Sequence, residues 1–297
     1  MLSYINFANV DTVECQRLFH GRGHAYLGFE HVTIDYFPPL VLITLYKEES
    51  VDWLTELAQQ LMANISSCRS VKVQYRCRDK APFEHLAGEA INELVAIEHG
   101  LKYQLSFQHN QNVGLFLDMR NGRRWVLEHA EQGNVLNLFA YTCAFSVAAI
   151  AGHAEQVVNI DIAKSALAKG RDNHRLNNHP LAKVKFEGVD IFKSWKRLIK
   201  HGPYDLLIAD PPSFQKGSID VKRDYPKIIK RVNQFIKPGG QLMLCLNSPD
   251  LEQKFLFDLI DEHAPNCVFI ETVLTPEVFK EAHPQRGLKV LIFEYHP

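Results

Sequence analysis

The spacing of hydrophobic and polar residues changes near residue 110, and this change predicts two domains. In the first region, HVTIDYF and LVLITLY are rich in β-branched and aromatic residues on either side of Pro38 and Pro39, which predicts two strands of a hairpin. Apolar residues recur at helical spacing in VDWLTELAQQLMANI, and SVKVQYRC and LKYQLSFQ are predicted to be short strands, followed by GLFLDM as another. We therefore predict a small N-terminal α+β domain over residues 1–109.

After residue 110, apolar runs typical of buried strands alternate with amphipathic segments typical of helices. The predicted strands are NVLNLFA, QVVNID, KVKFEG, DLLIAD and QLMLCLN, and the predicted helices are NGRRWVLEHA, FSVAAIAG, KSALAKGRDNHRLN, IFKSWKRLIK, DYPKIIKRVNQFI and EQKFLFDLIDEH. The chain finishes with FIETVLT and LKVLIFEY, two strand patterns without a helical pattern between them. The sequence therefore predicts a doubly wound α/β domain over residues 110–297.

Length, composition and charge are those of an ordinary globular protein. The chain has 297 residues, of which 46% are hydrophobic and 23% charged, and its formal net charge is -1. This length fits two domains of roughly 100 to 200 residues each. No apolar run reaches the roughly 20 residues that span a bilayer, so we expect a cytoplasmic protein without a membrane partner.

Cysteine spacing and charge limit the kinds of ligand that the chain can bind. The six cysteines form no CxxC pair, which favours neither a zinc site nor a secreted disulfide framework, and we predict no metal. The near-zero net charge provides no overall basic field, so any RNA contact must use local patches. Candidate patches are KVQYRCRDK, RNGRR and KRDYPKIIKR, and in the first of them arginine and aromatic residues interleave as in base-stacking surfaces. Arg22 in FHGRGH fits either a phosphate clamp or an ordinary loop.

The residues that end the predicted parallel strands carry the candidate chemistry, because ligands of a doubly wound sheet bind outside the carboxyl ends of its strands. The first strand runs into NLFAYTCAF, residues 137–145, which has no glycine before the next helix. A dinucleotide fingerprint places glycines there so that a pyrophosphate can approach the helix N-terminus. The sequence therefore disfavours NAD and FAD but allows a ligand without phosphates.

Acidic residues end the next two strands. Asp161 follows the second strand at a position where an acid accepts both hydroxyls of a ribose, although IDIAKSA equally allows it to cap the next helix. Asp190 in GVDIF is placed to accept a hydrogen bond from an exocyclic amine such as that of adenine, and it too fits a helix cap. Both alternatives remain open for each residue.

The fourth strand ends in the segment Asp210-Pro211-Pro212-Ser213-Phe214. The two prolines fix the backbone and remove two amide donors, so the strand stops and the Asp210 carboxylate is held at the edge of the sheet. The aromatic ring farther on can stack on a planar base. Because four such strand ends follow one another along one sheet, we predict a single binding site rather than four unrelated caps.

Six segments of the chain match the motifs of a known family. They are GLFLDMR, VLNLFAYTCAFSV, VVNIDIAKSAL, DNHRLN, DIF and DPPSF. The sequence resembles class I S-adenosylmethionine-dependent methyltransferases, and more closely the bacterial large-subunit ribosomal RNA base methyltransferases of the cytosine-5 and guanine-N7 branches. The resemblance implies a seven-stranded methyltransferase sheet whose last strand is antiparallel, which fits the two strand patterns at the C-terminus. It also implies S-adenosylmethionine as cofactor and large-subunit ribosomal RNA as partner.

The resemblance implies roles for particular residues as well. The implied cofactor-binding residues are Phe116, Asp118, Asn137, Phe139, Ala140, Tyr141, Thr142, Asp161, Ile162, Asp190, Ile191 and Asp210. The residues implied to face the target base are Asp210, Pro211, Pro212, Phe214 and Asn247. In this scheme the first loop wraps the methionine part of the cofactor, the second strand end holds the ribose and the third holds the adenine.

One departure from the family's pattern lies in the cofactor loop. The family loop usually continues as YTGG or YTGS, whereas this chain has YTCA, with Cys143 and Ala144. Side chains at these positions would narrow the pocket for the methionine part of the cofactor. The conformational cost is only of order 1 kcal/mol per glycine replaced, so we expect binding to survive.

A second departure concerns the chemistry of methyl transfer. Cytosine-5 methylation needs a cysteine thiolate beside the base. The cytosine-5 branch carries it in a pattern like FSCS, where this chain has CLNS, with Asn247 at the cysteine position and Cys245 two residues earlier. Residues two apart in a strand lie about 6 to 7 Å apart, so Cys245 is expected to be a buried structural thiol. We therefore predict methylation of a guanine ring nitrogen; the alternatives are a cytosine-5 methyltransferase that uses Cys245 and a noncatalytic RNA-binding assembly factor.

Overall fold

The computed structural model of the protein describes residues 1–108, 111–212, 214–215 and 219–297, and of residues 214 and 215 it describes only the backbone. Two structural units are present. The first comprises Met1–Asp118 together with Pro276–Pro284, and the second comprises Met119–Thr275 together with Gln285–Pro297. A segment between the last two strands of the second unit thus belongs to the first unit.

The first unit is built on a five-stranded sheet in the order β1-β2-β3-β4-β5. Its elements are β1 (Gln16–His20), β2 (Val32–Phe37), β3 (Leu40–Leu45), α1 (Val51–Asn64), β4 (Ser70–Tyr75), β5 (Phe83–Gly88), β6 (Glu93–Glu98) and β7 (Leu101–Ser106). The predicted hairpin is β2 and β3, which are antiparallel, and the β3-α1-β4 connection makes β3 and β4 parallel. β6 and β7 form a separate antiparallel pair.

Burial explains which elements of the first unit the pattern predicts and which it misses. Every residue of β2, β3 and β4 is buried, so their apolar runs are strong signals. None of the six residues of β5 is fully buried, and its sequence FEHLAG has no clear alternation. The strand predicted for GLFLDM is wrong: Leu117–Met119 form a 3-10 helix. Leu115, Leu117 and Met119 are nevertheless buried alternately, so the alternation reports packing against the core rather than strand pairing.

The second unit contains a seven-stranded sheet in the order β10-β9-β8-β11-β14-β16-β15. Its helices are α2 (Arg120–His129), α3 (Ala144–Ala151), α4 (Lys164–Leu176), α5 (Trp195–His201), α6 (Val221–Ile229), α7 (Val232–Phe235) and α8 (Lys254–His263). Its strands are β8 (Asn134–Leu138), β9 (Gln156–Ile160), β10 (Val184–Glu187), β11 (Tyr204–Ala209), β12 (Phe214–Gln215), β13 (Ile219–Asp220), β14 (Ile236–Leu246), β15 (Cys267–Thr272) and β16 (Lys289–Tyr295). β12 and β13 form a two-stranded antiparallel sheet.

The predicted sheet topology of the second unit is confirmed. The neighbouring pairs from β10 to β14 are all parallel, and β16 lies antiparallel to both β14 and β15. One detail differs from the expectation: the helix predicted over DYPKIIKRVNQFI is split into α6 and α7. Every helix in the described ranges falls short of the length and apolarity needed to cross a membrane.

Candidate active site

The carboxyl ends of the central strands lie side by side along one edge of the sheet. Leu138 at the end of β8 is in register with Ile160 at the end of β9 and with Ala209 at the end of β11. The residues that follow, Phe139, Asp161 and Asp210, therefore leave the sheet at the same level. From β8 the chain continues to β9 and β10 on one side of β8, and it later forms β11 on the other side of β8. The carboxyl ends of the neighbouring strands β8 and β11 therefore mark the topological switch point, where such sheets bind ligands.

The loop Phe139–Cys143, which we call the cofactor loop, has an unusual backbone. Phe139, Tyr141 and Cys143 have positive φ angles of 58°, 47° and 60°, although none is glycine. This left-handed conformation costs roughly 1 to 2 kcal/mol per ordinary residue, and such strain clusters at functional sites. Two backbone bonds hold the loop, from Cys143 N to Ala140 O at 2.7 Å and from Ala140 N to Ile160 O at 3.1 Å.

Asp161 links the cofactor loop to the end of β9. Its Oδ2 accepts a hydrogen bond from Tyr141 N at 2.8 Å, and its Oδ1 accepts one from Ala163 N at 2.7 Å. The carboxylate thus supports the turn before α4 but does not cap that helix, whose N-cap residue is Ala163 and has no side-chain capping bond. Each oxygen can accept one further bond. The Tyr141 phenol stays protonated, because burial and the Asp161 charge raise its pKa to about 12. Ile162, the next residue, is 58% exposed and offers an apolar face at the sheet edge.

Asp190 follows β10 and caps a 3-10 helix. Its Oδ1 accepts a hydrogen bond from Phe192 N at 2.8 Å, and its Oδ2 lies 3.5 Å from Lys193 Nζ. Ile191 is buried in the core beside it. The structure therefore shows the capping contact for Asp190, and the predicted adenine contact of Asp190 and Ile191 stays a prediction.

Asn137 lies within the sheet core rather than at its open edge. Its Nδ2 donates to Asn159 Oδ1 at 2.8 Å, and Asn159 Nδ2 donates to Ser146 Oγ at 2.9 Å. Ser146 Oγ in turn contacts His174 Nε2 at 2.9 Å, and burial lowers the pKa of His174 to about 3, so the ring is neutral. This network was not predicted, although Asn159 interrupts an otherwise apolar strand pattern. A cofactor contact of Asn137 stays a prediction.

Helix α4 supports the cofactor loop from the side, through contacts that the sequence did not predict. The buried Asn173 donates from Nδ2 to Thr142 O at 3.0 Å. A Cβ built on Gly170 would lie only 2.3 Å from Cys143 Sγ, so the thiol occupies space that a glycine leaves open. Cys143 also packs with Ala140 and Leu167. The Cys143 side chain is buried against α4. We therefore no longer expect Cys143 to narrow the pocket for the methionine part of the cofactor.

Replacing Gly170 with alanine is expected to lower the free energy of unfolding and weaken cofactor binding, although alanine is the better helix former. The new Cβ would also lie 2.8 Å from the Cys143 Cβ, so the loop backbone must shift. Overpacking of this kind costs about 1 to 3 kcal/mol. The gain from alanine in a helix is at most about 1 kcal/mol. Denaturant unfolding and calorimetry with S-adenosylmethionine measure the two effects.

The matched control is the double variant Cys143→Gly, Gly170→Ala. Its new glycine removes the clash and adopts the left-handed conformation of residue 143 without strain. We expect the double variant to recover most of the lost stability and affinity. A single Gly170→Ala variant that is more stable than the unsubstituted protein would contradict the packing of α4 against the loop.

The residues predicted to face the base lie where β11 and β14 end. Asp210 is half-buried, Pro211 is buried and Pro212 is exposed. Asn247 is exposed directly after β14, whereas Cys245, within the strand, is 0% exposed. The backbone of Phe214 pairs in β12, but its side chain lies outside the described residues, so its stacking role stays a prediction.

Phe116 and Asp118 belong to the first unit, where Phe116 is 45% exposed and the Asp118 charge contributes to raising the pKa of Arg17. Their predicted cofactor contacts stay predictions. Within the described part of the chain, no three His, Cys, Asp or Glu side chains are grouped so that they could hold a metal ion.

Some basic side chains of the predicted RNA patches are engaged within the protein. Lys72 is buried in β4 and donates a 2.6 Å bond to Asn92 Oδ1. On α6, Arg223 and Lys227 both donate to the buried carboxylate of Asp224. The local basic runs in the sequence therefore overstate the charge that is available to a partner.

Known proteins resemble this chain in sequence and in fold. The profile of a family described as S-adenosylmethionine-dependent methyltransferase matches residues 16–294. A protein of Erwinia tasmaniensis named ribosomal RNA large subunit methyltransferase I is 30% identical over 275 residues, which cover 88% of this chain and 69% of that protein. A relative of the same name from Cronobacter sakazakii is 30% identical over 278 residues, with 89% and 69% covered.

Two solved structures are similar over 97% of this chain and 77% of their own length, each with 26% sequence identity. One is described as a methyltransferase complexed with S-adenosylhomocysteine and has a TM-score of 0.85. The other is described as a S-adenosylmethionine-dependent methyltransferase from Streptococcus mutans and has a TM-score of 0.84.

Proposed function

Since the chain belongs to the S-adenosylmethionine-dependent methyltransferase family, we propose that it methylates a base of large-subunit ribosomal RNA, at a ring nitrogen of guanine. The RNA substrate is supported by the names of the curated relatives, which match most of this chain. The choice of a nitrogen is supported by the residues at the end of β14. We place this activity in the cytoplasm.

The sheet edge fits S-adenosylmethionine. The Asp161 carboxylate can accept bonds from ribose hydroxyls, and the exposed Ile162 beside it offers an apolar surface to the flat adenine. The cofactor loop has side chains where a dinucleotide loop has glycines, which suits a ligand without phosphates. When bound, the cofactor supplies a methyl group on a sulfonium sulfur; the lone pair of the ring nitrogen takes this methyl in line, and the electron pair of the broken C–S bond stays on the sulfur.

The buried position of Cys245 is the observation that favours nitrogen over cytosine carbon. A carbon of the pyrimidine ring becomes nucleophilic only after a thiolate has attacked the ring, so the thiol must reach the base. Cys245 is fully buried, and the exposed position at the end of β14 belongs to Asn247. A guanine ring nitrogen that carries no hydrogen, such as N7, already has a free lone pair, so the protein needs only to orient the base and stabilise the positive charge that methylation leaves on it. The carboxylate of Asp210 provides that negative charge.

We further propose that the N-terminal domain, residues 1–109, helps to hold the RNA. Arg22 lies over the ring of Tyr46, with its guanidinium carbon 4.1 Å from the ring centroid, and Arg76 lies 6.0 Å from the same centroid. Arginine and aromatic planes of this kind stack on unpaired bases. Arg78 is less suited, because Glu48 and Glu84 already bind its guanidinium.

The proposed function is tested by methyl transfer to ribosomal RNA. RNA extracted from a strain that lacks the gene is incubated with the protein and labelled S-adenosylmethionine, and the labelled nucleotide is identified. We expect a methylguanine in large-subunit RNA. Label in a 5-methylcytosine would move the proposal to the cytosine-5 reaction, and no label in any RNA would support a noncatalytic assembly factor.

The variant Cys245→Ser is expected to keep methyl transfer, because the thiol does not take part in the reaction. A hydroxyl in this buried place costs about 1 to 3 kcal/mol of stability, so turnover is measured well below the melting temperature. Cys267→Ser, another buried cysteine of the same unit, is the control for that loss. RNA that contains 5-fluorocytosine should form no covalent adduct; an adduct that Cys245→Ser abolishes would establish cytosine-5 chemistry instead.

A further inference from the structure

Tyr225 lies on α6 in the core of the second unit, where its phenol contacts the ends of two strands. Its side chain is 0% exposed, and its hydroxyl oxygen lies 3.1 Å from Ala209 O in β11 and 3.1 Å from Cys245 O in β14. Burial, with the nearby Cys245 and Asp210, raises the pKa of the phenol well above its usual value. The hydroxyl therefore keeps its proton and serves as a donor to these carbonyls.

The two prolines that follow β11 change the supply of amide donors beside this place. Ala209 is in register with Leu244, which places Pro211 opposite Leu246. In a parallel pair each strand offers amide hydrogens to the carbonyls of its neighbour, but Pro211 and Pro212 have none. The Tyr225 hydroxyl supplies a donor at the point where the amide donors of β11 end.

The two carbonyls that Tyr225 contacts lie just before the residues assigned to the target base. Ala209 precedes Asp210 directly, and Cys245 lies two positions before Asn247. We propose that Tyr225 is a positioning residue that ties the end of β11 to the end of β14 and thereby fixes the separation of Asp210 and Asn247. This inference rests on the proposed function, because those two residues face the base only if the protein methylates one.

Tyr204 provides a matched control for a role of Tyr225 in stability alone. It is also a fully buried tyrosine of the second unit, and its hydroxyl donates to Leu198 O at 2.7 Å. It begins β11, at the end of the strand opposite to Ala209. The Tyr204 hydroxyl gives its proton to one backbone carbonyl, whereas the Tyr225 hydroxyl shares its single proton between two, so the loss of either proton should cost similar stability.

The experiment compares Tyr225→Phe with Tyr204→Phe in methyl transfer to ribosomal RNA. We expect Tyr225→Phe to lower kcat between about tenfold and a hundredfold, because misplacement by about 1 Å can cost a hundredfold. Its KM for RNA and its dissociation constant for S-adenosylmethionine should stay within about twofold of the values for the unsubstituted protein. The reason is that the substitution removes no contact to the bound RNA or to the cofactor. Tyr204→Phe should change none of the three. Equal kcat values for the two variants would overturn the inference.

Amide hydrogen exchange supplies a second measurement that needs no substrate. The amides of Asp210, Leu246 and Asn247 should exchange at least about tenfold faster in Tyr225→Phe, because local opening of the strand ends becomes easier, and should be unchanged in Tyr204→Phe. If the unsubstituted protein methylates no RNA, the proposed function fails and the exchange comparison alone decides whether the hydroxyl ties the two strand ends. Unchanged exchange in Tyr225→Phe refutes that tie.

Discussion

The variant Asp161→Ala is expected to bind S-adenosylmethionine about a hundredfold more weakly than the unsubstituted protein, because hydrogen bonds to a charged group contribute about 1.5 to 3 kcal/mol each. The carboxylate accepts a hydrogen bond from Tyr141 N in the strained cofactor loop, and we propose that it also accepts bonds from the ribose hydroxyls. Its removal therefore deletes contacts to the cofactor and releases a loop whose backbone is unfavourable without support. Calorimetric titration with S-adenosylmethionine measures the loss.

Two further variants separate these contributions. Asp161→Asn keeps one acceptor oxygen without the charge, so it should bind with intermediate affinity. Asp172→Ala removes an exposed acid of α4 that pairs only with Arg175 in the described structure, and it should bind normally. If Asp161→Ala bound as tightly as Asp172→Ala, the ribose would have to be held by another strand end.

Hydrophobic patterning and strand-end chemistry are local properties, and the sequence predicts what depends on them. The order of strands and helices in the second unit follows from apolar runs, and the position of Asp161 and Asp210 at one edge follows from the parallel topology. The antiparallel last strand is implied by the family resemblance, and the two C-terminal strand patterns without a helical pattern between them fit it. These predictions need no knowledge of which side chains touch across the core.

The support of the site depends on contacts between distant residues, and the sequence does not predict it. Gly170 looks like an ordinary position of an amphipathic helix, and Asn173 belongs to the DNHRLN segment of the family resemblance. The sequence does not show that these two residues fit against Cys143 and Thr142 of the cofactor loop. Tyr225 looks like a core aromatic, and only the structure shows its hydroxyl between two carbonyls. The pattern of a single sequence predicts which residues are buried. The support of the site depends instead on which partner each buried polar atom contacts.

The variant Asp210→Asn is expected to lower kcat for RNA methylation about a hundredfold to a thousandfold, the range found when a preorganised group that stabilises transition-state charge is removed. Asparagine keeps the shape of the side chain, so the backbone at the end of β11 should hold. The charge that opposes the developing positive charge on the ring nitrogen is lost. Single-turnover transfer of labelled methyl to RNA measures this step.

Asp205→Asn is the matched control, because Asp205 lies near the other end of β11 and pairs with Lys237. It should lose stability but keep turnover. The two acids of the site should then affect different quantities: Asp161 lies beside the cofactor loop and should change mainly the dissociation constant of S-adenosylmethionine, whereas Asp210 should change mainly kcat. The contrary result would be that Asp210→Asn weakens cofactor binding as much as Asp161→Ala while single-turnover transfer stays fast. In that case Asp210 would act on the cofactor. The negative charge that favours a nitrogen target would then have to come from another group.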